Sequence, residues 1–405
     1  MRSHILCILF SLFISGSIAR GAGTESPPDT GFFQDISDFL ARGDGGGSVG
    51  AAVNYQNNRN ALPNPGLAWG YLSANYLTPD WNGLTFGARA LGVSQIWENN
   101  PGDYETDFTD DWIVRNLYLS YEFNDSSSSV MAGRNAYSGN PILDGDSQEG
   151  AGITIAESET ITFWGAAFHR WVNNASVKYD ADGISGWTGV SDANADAGEI
   201  FLTGRIDAQI GDQLLLSPFA GWQENVLAVY GIHGIHTLPL SNDRKSASWQ
   251  SELILTYYDN QTPSSINADY GNLWVGRLHT GYESASWSAG AGFYWLGDNA
   301  LDTTAGLFNA FDPLKEDDLY PLNDQNDAYL FYLNGSLTLG SFVLEPAIGL
   351  GRNDAVAADS LEINFLFTWD LPGNFEAAGY LVHVDFTKDV LPNYTVGGVS
   401  LAYDF

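Results

Sequence analysis

The chain has 405 residues, with 49 acids against 16 Lys and Arg and a formal net charge of −33. So acidic a chain repels phosphate backbones, which excludes nucleic-acid partners. The only cysteine is Cys7, near the start, so the body of the chain has no disulfide and no cysteine–metal site.

Residues 1–23 (MRSHILCILFSLFISGSIARGAG) read as an export signal. Arg2 is the positive start, Ile5 to Ile14 the apolar run, and Ser17 to Gly23 are mostly small. That run is too short to span a bilayer as a helix, and no later stretch approaches ~20 continuous apolar residues. Cleavage falls after Ala19 or Gly21. Either way Arg2 leaves with the signal and the mature chain is more acidic still.

Residues 24–47 are polar, around a short amphipathic piece from Phe32 to Leu40, and are expected to form a periplasmic extension. From residue 48 to 405 a procession of short strands is predicted. They fall at 48–57, 66–78, 83–95, 111–123, 127–136, 147–157, 159–172, 199–210, 213–222, 225–236, 247–258, 271–283, 285–296, 328–339, 341–352, 359–370, 374–386 and 394–405, about 18 in all. Connections alternate in length. PDWN, NDSS, GD, LGS and LPGN are tight, whereas 96–110, 173–198, 259–270 and 297–327 are long. Transmembrane barrels show this asymmetry, with tight periplasmic turns and long external loops. The rhythm breaks once, near 223–246. An even strand number puts both ends of the barrel on the periplasmic side.

Facing within the strands points the same way. In residues 199–210, Ile200, Leu202, Ile206, Ala208 and Ile210 share one face, and Thr203, Arg205, Asp207 and Gln209 the other. In residues 360–370, Leu361, Ile363, Phe365, Phe367 and Trp369 oppose Glu362, Asn364, Thr368 and Asp370. In residues 272–282, Trp274, Leu278 and Tyr282 oppose Arg277 and His279. The last strand, YTVGGVSLAYDF, sets Val399, Leu401, Tyr403 and Phe405 against Gly398, Ser400, Ala402 and Asp404. Four residues spoil the pattern: Phe201, Val275, Leu366 and Val396. Side chains alternate across a strand, so the polar rows need water and the apolar rows need lipid. A strand at the chain end is a sticky edge unless it closes on another. The expected fold is therefore all-β: a transmembrane antiparallel barrel with outer-membrane lipid outside and a wet lumen within. With 13 Trp, 20 Tyr and 45 Gly, the composition suits such a barrel, although a large soluble sandwich shares it.

Three stretches resemble the Opr-type (OprD-like) porins. They are GLAWGYLSANYLTPDWNGLTFGARALG (66–92), NLYLSYEFNDSSSSVMAGRNAYSGNPILDGDSQEGAGITI (116–155) and the carboxy-terminal strand. The resemblance implies an 18-strand porin, a homotrimer, with one loop folded into the channel. Phe405 resembles the terminal aromatic of the assembly signal, which implies recognition by the barrel-assembly machinery. The family's basic ladder guides carboxylate solutes. Here the lumen-wall candidates are few: Arg89, Arg134, Arg205 and Arg277, with the acids Asp207 and Glu362. Arg134 rests on the Gly-Arg match alone. Acids far outnumber bases along the chain, so this sequence departs from a preference for acidic solutes.

The loop SGNPILDGDSQEGAG (138–152) carries Asp144, Asp146 and Glu149. Folded inward, these carboxylates face the arginines across an eyelet and set up a transverse field that selects ions. The plainer reading is an exposed loop with solvated acids. Arg205 and Asp207, two apart on one face, read either as solute contacts or as an ion pair within the wall.

Asp192, Asn194 and Asp196 begin an EF-hand-like spacing. Ala197 at the sixth position and Thr203 at the twelfth break it, which leaves at most loose divalent binding. His233 and His236, three apart, fall on opposite strand faces and make no metal site. No HExxH or phosphate-cradling loop is present. The sequence thus predicts no enzyme, cofactor or metal. It predicts a porin for small hydrophilic solutes and ions, cation-leaning, in a Gram-negative outer membrane. The alternative is a barrel without a channel: an adhesin, a structural protein or an enzyme.

Overall fold

The computed structural model describes residues 39–58, 64–99, 111–123, 127–137, 143, 147–172, 188–189, 198–240, 247–261, 271–299, 313–314, 327–354, 357–387 and 393–405. The strands are β1 (Asp44–Asn58), β2 (Gly66–Leu77), β3 (Leu84–Asn99), β4 (Asp111–Glu122), β5 (Ser129–Asn135), β6 (Ser147–Ala156) and β7 (Ile161–Val172). A two-residue stub, β8 (Thr188–Gly189), comes next. Then come β9 (Phe201–Ile210), β10 (Leu214–Gln223), β11 (Leu227–Pro239), β12 (Ala247–Asn260), β13 (Leu273–Ser284) and β14 (Trp287–Leu296). The last five are β15 (Ala328–Leu339), β16 (Phe342–Asn353), β17 (Ala358–Leu371), β18 (Phe375–Phe386) and β19 (Tyr394–Asp404).

Each strand pairs antiparallel with the next, β7 pairs with β9 past the stub, and β1 pairs with β19. The result is a closed 18-stranded antiparallel barrel. Gly47 N–H donates to Phe405 O, and Phe405 N–H donates to Gly47 O, both at 3.0 Å. That seam leaves no free edge at the chain terminus, which is what a strand end in lipid requires. Among the described residues, no helix is long and apolar enough to cross a membrane.

Every predicted strand is present, most within two residues of the expected ends. The first begins at Asp44, four residues earlier than expected. The irregular rhythm near 223–246 is a real feature of the connections. Residues 224–226 make a three-residue turn at the loop end, and β11 runs on to Pro239.

The outer face carries a broad apolar band. Leu202, Ile206, Leu278, Leu333, Leu350, Leu381 and Leu401 are all between 41% and 61% exposed. The inner face is layered, which alternation alone did not indicate. Toward the end opposite the termini, Phe168, Phe201, Phe219, Val275, Tyr294, Leu330, Val382 and Val396 join one buried apolar cluster. The four residues that spoiled the alternation are inside the barrel. Phe201, Val275 and Val396 belong to this cluster, and Leu366 packs against it. Leu143, from the connection after β5, and Leu314, from the connection after β14, pack there too. Leu143 is only 7% exposed. Polar and charged side chains line the middle of the wall. The lumen is therefore narrowed by a greasy ring at the loop end, with polar and charged side chains at mid-height.

Candidate solute pathway

Two charged groups stand on the inner wall. In the first, Arg277 Nη2 donates to Glu252 Oε2 at 2.7 Å, and His233 Nε2 lies 2.8 Å from Glu252 Oε1. Register explains the grouping. Glu252 sits opposite Ile235 on β11 and His279 on β13, so His233 and Arg277 are its diagonal neighbours. Diagonal pairs lie within reach of long side chains. His279, next along, stacks on Tyr332 with ring centroids 5.8 Å apart, and its Nε2 lies 3.0 Å from Asn334 Oδ1. His236 lies on the other face of β11 from His233, as its spacing predicted, and the two share no site.

The sequence reading did not single out Glu252. Leu253, Ile254 and Leu255 run together in SELILTYY and hide the alternation; only burial, with Leu253 44% exposed and Ile254 3%, puts Glu252 on the inner row. Each member of this group is about one-fifth exposed. A partly wet pair is worth less than a buried one. Arg277→Met is thus expected to lower stability by about 1–2 kcal/mol. Urea titration followed by tryptophan fluorescence checks this, and an unchanged midpoint rejects it.

In the second group, Arg205 Nη2 donates to Asp207 Oδ2 at 2.7 Å, and Ser217 Oγ donates to Asp207 Oδ1 at 2.6 Å. The two residues predicted to share a face do so and form a pair. Arg205 lies directly across from Trp164 on β7 and from Phe219 on β10.

The other wall candidates separate. Arg89 shares the inner row of β3 with the buried Leu91 and Val93, and its charge is repelled by Arg115 on β4. Glu362 is inward, 5% exposed, on the same row of β17 as Asn364. Arg134 is different. It lies directly opposite Leu117 of β4, which is 45% exposed on the outer face. Gly133, just before it, has φ of 120° and breaks the extended geometry. The cross-strand partner, not alternation, thus sets Arg134 on the outer row of β5.

Glu149 also departs from its expected place. It is the third residue of β6, not part of the preceding loop, and lies opposite Arg134. Arg134 Nε donates to Glu149 Oε2 at 2.9 Å, with Arg170 Nη1 at 3.9 Å and His169 Nε2 at 3.8 Å from its carboxylate. Glu149 is thus engaged within the wall by Arg134, with Arg170 and His169 nearby. Asp144 and Asp146 lie outside the described residues, as do Asp192, Asn194 and Asp196 of the calcium-like segment. Among the described residues, no group of three or more metal-ligating side chains gathers in one place.

An apolar outer band, inward charges and a closed seam define a transmembrane β-barrel. Its fold is that of the OprD-like barrels. Acinetobacter baumannii OccAB1 aligns at a TM-score of 0.68 and 12% identity, covering 91% of this chain and 97% of that one. Pseudomonas aeruginosa OccK8 (OprE) aligns at 0.68 and 12%, covering 91% and 99%. Pseudomonas aeruginosa OccK3 (OpdO) aligns at 0.66 and 14%, covering 93% and 99%. No protein-family model and no curated protein matches the sequence.

Proposed function

We propose that this protein is an outer-membrane porin, passing small hydrophilic solutes and ions down their gradients without chemistry. The observation that carries this reading is the opposition of faces. Arg205, Asp207, Glu252, Arg277 and Glu362 point inward, while leucines half-exposed to the surroundings cover the outside. Charges placed on the inner face of a barrel in lipid must meet water there, and a continuous wet path is a channel. The shared architecture with the Occ and Opd barrels, and the resemblance of residues 66–92 and 116–155 to OprD-like porins, support the same reading. The export signal at residues 1–23 and the terminal Phe405 fit delivery to the outer membrane by the barrel-assembly machinery. A homotrimer rests on the resemblance alone.

The inner charges are largely paired with one another, so the wall itself is close to neutral, while the chain as a whole is at −33. An acidic approach concentrates cations at the mouth, which makes the channel cation-leaning. Purified protein in planar lipid bilayers tests both statements. Steady ohmic steps are expected, with a reversal potential in a salt gradient on the cation side. Electrical silence in every bilayer rejects the channel, leaving an adhesin, structural or enzymatic barrel. Asp144→Lys with Asp146→Lys is expected to move the reversal potential toward anions. An unchanged potential removes these two aspartates from the selectivity-setting role.

A further inference from the structure

The inner wall of β5, β6, β7 and β9 carries a cavity of about 290 Å³. Register sets one row of its lining. Ser129 lies opposite Thr154, Thr154 opposite Trp164, and Trp164 opposite Arg205. One step along, Thr162 lies opposite Asp207. Tyr137, where the chain leaves β5, closes one side. Its hydroxyl hydrogen-bonds to Gly133 O at 2.9 Å and Gly150 O at 2.7 Å, and its backbone N–H donates to Gln148 Oε1 at 2.9 Å. Anchored three times, Tyr137 is a fixed wall of the cavity.

From this geometry we infer that the cavity is a subsite for a neutral sugar ring, in a solute class of single hexoses rather than carboxylates. The inference rests on the channel reading above. Charge argues first. The two ionised residues in the lining are Arg205 and Asp207, and they pair at 2.7 Å. A carboxylate solute attracted by Arg205 meets Asp207 beside it, and a cation meets the reverse. The site is neutral as a unit, yet rich in directed donors and acceptors. The Ser129, Thr154 and Thr162 hydroxyls both donate and accept, which matches a polyol and gives a carboxylate no advantage. Shape argues next. The Trp164 ring supplies a flat apolar face, and a pyranose has a flat C–H face to lay on it, beside the buried Tyr137. The volume sits at the small end of the ligand-site range, near ~300 Å³, which suits one ring and not a chain of several.

Glucose added to single channels in a planar bilayer is the probe. Glucose is expected to raise current noise to saturation. A polyethylene glycol of equal hydrodynamic size and sodium gluconate at equal concentration are expected to give markedly less. Trp164→Ala should raise the half-saturating glucose concentration about tenfold, the equivalent of ~1.4 kcal/mol, with ion conductance retained. Thr154→Val, which keeps shape and removes the hydroxyl, should raise it severalfold, and it carries the test should Trp164→Ala not fold. The assignment is overturned if the polyethylene glycol equals glucose, if gluconate surpasses it, or if the folded variants leave the half-saturating concentration unchanged. A wild-type protein that never conducts overturns the channel itself and this subsite with it. Conduction without a glucose response overturns the subsite alone.

Discussion

Leu278→Arg is expected to destabilise the barrel by about 2–4 kcal/mol, the cost of a cation on the lipid face near the bilayer midplane. Leu278 stands mid-way along β13, 51% exposed, between the inward Arg277 and His279. The neighbouring substitution His279→Arg places a charge one residue away on the wet face and is expected to cost under ~1 kcal/mol. Urea-induced unfolding of both variants in lipid vesicles measures the difference. Equal costs would mean that the two faces meet the same solvent. The two-faced wall, and every lumen assignment made from it, would then be wrong.

Gly150→Ala is expected to be the most damaging single-methyl change in the wall. The β6–β7 register shifts between Glu149 and Gly150. At that bulge a Cβ on Gly150 would overlap Ala167 O and lie 2.6 Å from Phe168 Cα. Both are backbone atoms of the adjacent strand and cannot turn aside as a side chain does. A loss of about 3 kcal/mol or more is expected, at the upper end for overpacking. Gly150 O also accepts the Tyr137 hydroxyl, so the cavity wall should loosen with it. Gly276→Ala is the control, because a Cβ there meets nothing nearer than 3.6 Å. The readout is the temperature at which the folded band on a cold gel converts to the unfolded one. A Gly150→Ala protein as heat-resistant as Gly276→Ala would show that the bulge yields freely.

Strand identity was legible because barrel strands alternate between two solvents. Ile200, Leu202 and Ile206 against Thr203, Arg205 and Asp207 is a local pattern, and lipid on one side enforces it wherever the chain closes. The pairing of Arg205 with Asp207 was legible for the same reason, since two residues apart means one face. Arg134 and Glu149 were not. Their region contains a left-handed-φ glycine and a bulge, and each device shifts the facing of the residues beyond it. A period-two reading carries no information across such a break. Glu252, His233 and Arg277 come from three strands, and only the register brought them together.

By itself, the sequence determined the number of strands, which side of most of them meets lipid, and the closure of the last strand on the first. These features stem from alternation and from the need to pair every backbone group in a bilayer. Tertiary structure alone decided what fills the inside. Phe201, Val275, Leu366 and Val396 read as errors in a strand and are correct in a barrel. Inward side chains from opposite walls and from Leu143 and Leu314 meet at the loop end, and there they exclude water from one another. The same closure set Trp164, Thr154 and Arg205 in a row on three neighbouring strands. No strand on its own encodes that row, because it exists only once the register is made.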